Sequence, residues 1–143
     1  MEYHGTTTVF CEIDKNPYSW IYLPDTKYDA HRIICTGNFS ATNNVHPRST
    51  GSIEFTDEKK YDSILEQLSP MPLHPRYITH KYNRLTYPIQ HSYTRKMIAA
   101  LQDHLHNDNL FLCGRFAEWE YYNMDKAMES ALKVACQEFN IAF

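Results

Sequence analysis

Glycine is scarce in this chain. Only four of its 143 residues are glycine, at positions 5, 37, 51 and 114. Neither GxGxxG nor GxxxxGK[ST] occurs, so the chain cannot build the backbone N–H cradle that holds nucleotide phosphates. No apolar run approaches the ~20 residues of a membrane helix. The first residues, Met1 to Gly5, lack the basic-then-apolar order of a secretory signal, which makes the cytoplasm the expected compartment. The net charge of −3 leaves no basic stripe for nucleic acid or for an anionic membrane. The four cysteines, Cys11, Cys35, Cys113 and Cys136, form no CxxC pair. They sit in apolar segments, where reduced, buried thiols are expected rather than a disulfide framework or a zinc site. Of the eight histidines, only His104 and His106 are close in sequence, and two positions apart on a helix they point in different directions. With no HExxH and no GxSxG elbow, metal ligation and serine nucleophile chemistry have no motif to stand on.

Aromatic residues are abundant: 11 Tyr, 7 Phe and 2 Trp. This composition suits β-sheet, and it equally suits an aromatic wall against a polar ligand. The length is that of one domain-sized core. Alternation and turn residues predict strands at Thr6–Ile13 and Tyr18–Leu23, joined through Asp14–Pro17 as an antiparallel hairpin. A third strand follows at His31–Thr36, a loop at Gly37–Arg48, and a fourth strand at Thr50–Phe55. From Asp57 a helix is expected, with Tyr61, Ile64, Leu65 and Leu68 on one stripe, ending before Pro70. Pro75–Leu85 reads as a strand running out at Tyr87-Pro88. Ser92 is placed to cap a helix with Met97, Ile98, Leu101 and Leu105 inward, broken by Asn107-Asp108-Asn109. Leu110–Cys113 is wholly apolar, as in a strand buried on both faces. An aromatic loop covers Gly114–Asn123. A last helix spans about Met124–Phe139, with Ala127, Met128, Ala131, Leu132, Ala135 and Phe139 inward and Asp125 in its first turn. The fold class is α+β: an antiparallel sheet with packed helices over residues 1–90, then helix–strand–helix over residues 91–143. A strand apolar on both faces needs cover, either from a second copy in a homodimer or from an N-terminal partner chain.

The densest constellation is GRFAEWEYYNMD, residues 114–125. Gly-Arg follows the apolar run, four aromatics follow Arg115, and a helix opens on Asn-Met-Asp. A loop at a strand end that faces a helix N-terminus is where layered folds place ligands. The plain alternative is an aromatic loop packed on the core. This stretch resembles the C-terminal motif of the UDP-galactopyranose mutases and of related flavoproteins in the amine-oxidase and protoporphyrinogen-oxidase-like group. Gly114, Arg115, Tyr121, Met124 and Asp125 fall in register, and Trp119 takes the aromatic position. Tyr87-Pro88-Ile89 is similar to the mutases' Tyr-Pro-Val segment. Trp20–Pro24 followed by His31-Arg32-Ile33 resembles strands of their substrate domain.

The resemblance covers most of the chain and corresponds to the C-terminal third of a full-length enzyme. It implies FAD as the cofactor of the intact family, with Gly114, Arg115, Asn123, Met124 and Asp125 facing the flavin. It also implies Tyr87 and Tyr121 on the diphosphate of a sugar nucleotide, with Arg32 as a phosphate-side cation, and it identifies no catalytic residue. Asn123 departs from the mutases' Asp, Gln90-His91 replace a polar pair, and the dinucleotide-binding glycines and uracil-stacking segment have no counterpart. The expectation is a C-terminal fragment or subunit that does not hold FAD tightly alone. Mutase-like isomerase or amine-oxidase-like oxidoreductase activity would then need an N-terminal FAD-binding half. The second reading is a non-catalytic α+β ligand-binding or interaction module.

Overall fold

The computed structural model describes residues 2–44 and 47–141. Two compact units divide the chain: His4–Thr86, and Met1–Tyr3 with Tyr87–Phe143. The elements are β1 (Tyr3–Ile13), β2 (Trp20–Tyr22), β3 (Ala30–Ile34), β4 (Ser49–Thr56), α1 (Tyr61–Leu68), β5 (Arg76–Pro88), α2 (Thr94–His106) and α3 (Met124–Phe139). Short 3-10 turns lie at Thr36–Asn38 and Ala41–Asn43, inside the expected loop; positions 45 and 46 of that loop lie outside the described residues. The chain is α+β, as its pattern of elements requires.

The sheet order is β2-β3-β4-β1-β5. The expected β1–β2 hairpin is therefore corrected: β1 pairs antiparallel with β4, while β2 pairs with β3. The connector does not make a tight turn. Asn16 Oδ1 accepts from the Tyr18 N–H at 2.9 Å, and Asn38 Nδ2 donates to the carbonyls of Asn16 and Tyr18 at 2.8 and 2.7 Å. This Asx turn carries the chain away from β1.

Strand alternation buries Val9, Cys11 and Ile13 and turns Phe10 outward. On β4, Ile53 and Phe55 are buried and Ile53 sits opposite Val9. Ile64 and Leu68 of α1 complete this core with Ile33 and Met71. Gly51, opposite Cys11 in register, leaves room that a Cβ would lose, since it would come within 2.9 Å of the Ile13 Cδ1 methyl. β5 stands at the sheet edge and carries Arg76, Lys81 and Arg84, charges that discourage edge-to-edge pairing.

Several expectations change at the level of single elements. α1 starts at Tyr61 rather than Asp57, because Asp57 adopts φ 61° and its N–H donates to the Gly5 carbonyl at 3.0 Å. Tyr61 and Leu65 of its stripe are exposed. Ser92 does not cap α2; the helix begins at Thr94, whose buried hydroxyl accepts from the His91 N–H at 2.9 Å. Ile98 is the buried apolar residue of α2, while Met97 and Leu101 are exposed. Leu110–Cys113 forms no strand, and its flanking residues Leu110 and Cys113 are exposed. A strand needs a neighbour to pair with, and the sheet does not extend to this segment. Cys11 and Cys35 are buried as expected, but Cys113 and Cys136 are exposed. Burial pushes the Cys11 thiol up to about 12. α3 turns Met128, Leu132 and Phe139 outward, opposite to expectation. Among the described residues, no helix is long and apolar enough to cross a membrane, and no group of three His, Cys, Asp or Glu side chains is placed to hold a metal ion.

Candidate functional site

The unit that contains residues 87–141 brings Tyr87, Arg115 and Tyr121 together. The Tyr87 and Tyr121 rings stack 5.2 Å apart with planes 9° from parallel. The Arg115 guanidinium lies 4.9 Å from the Tyr87 centroid, 4.8 Å from Tyr121 and 5.9 Å from Phe116. A planar delocalised cation beside π-faces is attracted by their quadrupoles, by ~0.5–2 kcal/mol per ring depending on desolvation. Arg115 Nη1 also donates to the Tyr122 carbonyl at 3.2 Å. The result is a cation clasped by two tyrosines whose hydroxyls are hydrogen-bonding groups at the rim of the rings.

The loop that presents this cluster is tied at both ends. Gly114 sits at φ +85°, where an L side chain is strained. Its N–H is shared between Glu118 Oε2 at 2.9 Å and Ser130 Oγ at 3.0 Å. The buried Ser130 hydroxyl donates in turn to the Glu118 carboxylate. Trp119 adopts φ 52°, unusual for a bulky residue. It is held there because its indole N–H donates to the Ile89 carbonyl at 3.0 Å and its own carbonyl accepts from Arg95 and Gln90. Arg95 also pairs with Glu120 at 2.6 Å. Gln90, Arg95, Glu118 and Ser130 are thus the residues that aim the loop. Sequence reasoning gave none of the four a part in aiming the loop: the bonds that reach it from Gln90, Arg95 and Ser130 span 12 to 29 positions and leave no periodic trace.

Among the residues that the resemblance assigns to the flavin, Gly114 has open space where a Cβ would stand, with nothing within 4 Å. Asn123 takes the N-cap position of α3 but makes no side-chain cap bond, so its amide leaves the first-turn N–H groups uncovered. Met124, 85% exposed, and Asp125 lie in the open first turn. This edge suits an electron-rich ring system; nothing in it resembles a pyrophosphate cradle.

Arg32 belongs to the other unit. It stands on β3 opposite Glu54, and its guanidinium donates to that carboxylate at 2.6 Å while His31 Nε2 lies 3.3 Å away. His31 and Arg32 together hold the Glu54 carboxyl below its usual value of 4.5. Because folding lowers this pKa, the stabilisation is complete above the ordinary carboxylate range and drains away as pH falls through it. Glu54→Gln is therefore expected to flatten the loss of stability below about pH 4.5, read as thermal midpoints of the two proteins between neutral pH and pH 3. Parallel curves would contradict the assignment.

A separate cleft of about 510 Å³ lies in the same unit as the tyrosine cluster, lined by α2, the 110–122 loop and α3. Gln102, Phe111, Tyr122, Lys126 and Lys133 are among its lining residues, whereas Tyr87, Arg115 and Tyr121 are not. Lys126 and Lys133 both engage Glu129 and hold its carboxyl down to about 2.

The fold defined by these elements is one found inside a larger enzyme. A solved structure described as reduced UDP-galactopyranose mutase matches 99% of this chain with a TM-score of 0.82 and 17% sequence identity. The match spans 34% of that solved chain, so the present chain covers about a third of its length. No family model and no curated protein matches the sequence.

Proposed function

We propose that this chain is the flavin-facing, sugar-nucleotide-binding segment of a UDP-galactopyranose mutase-like flavoprotein, acting as a C-terminal fragment or subunit together with a polypeptide that carries the dinucleotide-binding half. The observation that carries the reading is the Arg115 guanidinium clasped by the stacked rings of Tyr87 and Tyr121. The resemblance selects all three, the tyrosines for the diphosphate and Arg115 for the flavin; the place of Arg115 beside both tyrosine rings supports reassigning it to the diphosphate side, in a chain whose fold is found within such an enzyme. A guanidinium and two phenolic hydroxyls form a donor set for a diphosphate.

The flavin edge fits Gly114, Asn123, Met124 and Asp125, where a flavin, when bound, supplies the electron-rich centre for chemistry at the sugar's anomeric carbon. The chain's own part is to lay uncovered N–H groups of α3 toward negative charge and to hold the nucleotide by Tyr87, Tyr121 and Arg115. Arg32 is not part of this donor set: its guanidinium is committed to Glu54.

The test is calorimetric titration of the chain with UDP-galactose. Saturable binding is expected, and Tyr121→Phe should weaken it about tenfold, the worth of one hydrogen bond to a charged group. Lys133→Gln, in the cleft, should leave it unchanged. Absence of saturable binding, or equal binding by Tyr121→Phe, would refute the reading. FAD alone should show no saturable quenching of its fluorescence at low micromolar concentration, because the phosphate cradle is missing. Tight FAD binding would contradict that expectation. Sugar-nucleotide binding that no flavin-bearing partner enhances would favour the non-catalytic module.

A further inference from the structure

One side chain of α2 grips the loop of the candidate site at several points. Arg95 donates to the Glu118 carbonyl at 3.0 Å and to the Trp119 carbonyl at 2.5 Å, and it pairs with the Glu120 carboxylate at 2.6 Å. Gln90 Oε1 braces the guanidinium at 3.2 Å. An extended residue sends the carbonyls on its two sides in opposite directions. Here the residue between the two carbonyls is Trp119, at φ 52°, and both carbonyls reach one guanidinium. The planar fork of an arginine suits such a pair of acceptors, and the compact ammonium of a lysine does not. The gripped stretch runs straight into the stacked ring of Tyr121, and the Glu120 N–H joins it to the Arg115 carbonyl at 2.9 Å.

Charge gives the same contact a second consequence. Residues 114–125 carry three carboxylates, Glu118, Glu120 and Asp125, against one guanidinium, Arg115. That balance opposes an anion. Glu118 is engaged on the cleft side by the Gly114 N–H and the Ser130 hydroxyl. Glu120 directly precedes Tyr121, so their backbones are ~3.8 Å apart, inside the ~8 Å screening length of physiological salt. We propose, resting on the sugar-nucleotide reading of the Arg115 cluster, that Arg95 is the positioning residue of that site. Its fork holds the 118–120 backbone so that Tyr121 stays stacked on Tyr87, and its charge cancels the Glu120 carboxylate that a diphosphate would meet. Arg95 acts through the loop and is not one of the groups that touch the nucleotide.

Calorimetric titration with UDP-galactose of the wild-type chain, Arg95→Ala, Arg95→Lys and Arg95→Ala/Glu120→Gln tests this, with circular dichroism of each. Arg95→Ala should bind at least about tenfold more weakly and lose the near-ultraviolet tyrosine signal of the stack. Its far-ultraviolet spectrum should not change, because the Arg95 side chain is 46% exposed and Ile98 is the buried apolar residue of α2. Arg95→Lys, which keeps the charge beside Glu120 but cannot span both carbonyls, should fall between. Adding Glu120→Gln to Arg95→Ala should recover about threefold in affinity, which a loss of packing alone would not allow. Arg95→Ala binding as tightly as wild type, or a double variant no tighter than the single one, would overturn the proposal. If the wild type itself does not bind, the sugar-nucleotide reading fails, and the near-ultraviolet signal still decides the positioning of Tyr121. Its loss in Arg95→Ala upholds that role, and an unchanged signal overturns it.

Discussion

Arg115→Ala is expected to abolish measurable sugar-nucleotide binding, lowering affinity by about a hundredfold or more, while the His4–Thr86 unit keeps its stability. Tyr121 is 61% exposed, so little besides the Tyr87 stack and the guanidinium fixes its ring. Removing the guanidinium deletes the cation–π contacts to Tyr87, Tyr121 and Phe116, each worth ~0.5–2 kcal/mol, and the hydrogen bond to the Tyr122 carbonyl, worth ~1 kcal/mol. It also removes a cation that would meet the diphosphate. Arg115→Lys keeps the charge but loses the planar stacking, and should fall between wild type and the alanine variant. Calorimetry on the three proteins, with near-ultraviolet circular dichroism to follow the tyrosine stack, checks the order. An alanine variant that binds as well as wild type would show that the clasped cation has no part in recognition.

The second large effect concerns the fold that carries the site. Phe55 is fully buried and is the largest of the fully buried side chains. Its neighbours across the two adjoining strands are Thr7 and Ala30, both small, so the ring fills space that they leave. The strands are fixed by their ladders and cannot close over the void. Phe55→Ala should therefore cost ~3–5 kcal/mol, which for a chain of this size lowers the thermal midpoint by roughly 10–20 °C. Urea unfolding followed by circular dichroism measures it. A loss below about 1 kcal/mol would mean that the sheet collapses around the gap.

The sheet of this protein was readable because one of its faces is buried: Val9, Cys11 and Ile13 alternate with outward residues, and that period survives in the structure. Strand order was not readable, since Asn16 and Asn38 decide the path between β1 and β2 through bonds that no hydrophobic pattern encodes. Leu110–Cys113 has the composition of a buried strand, but among the described residues no strand pairs with it, so composition and structure part there. α3 was placed correctly along the sequence and turned the wrong way. An apolar stripe says that a helix face will be covered, and it does not say by which surface. In the candidate site, the Gly-Arg-aromatic run marked the loop. Its anchoring by Arg95 and Ser130 emerged only in three dimensions, because their bonds to the loop join residues 12 to 23 positions apart.

Whether the Arg115 cluster receives a sugar nucleotide is decided by mapping amide chemical shifts of the isotopically labelled chain during titration with UDP-galactose. Saturable shifts are expected, concentrated at Gly114, Arg115, Tyr121 and Tyr122 and spreading to Tyr87. Shifts confined to Gln102, Lys126 and Lys133 around the cleft, or no saturable shifts at all, would contradict it.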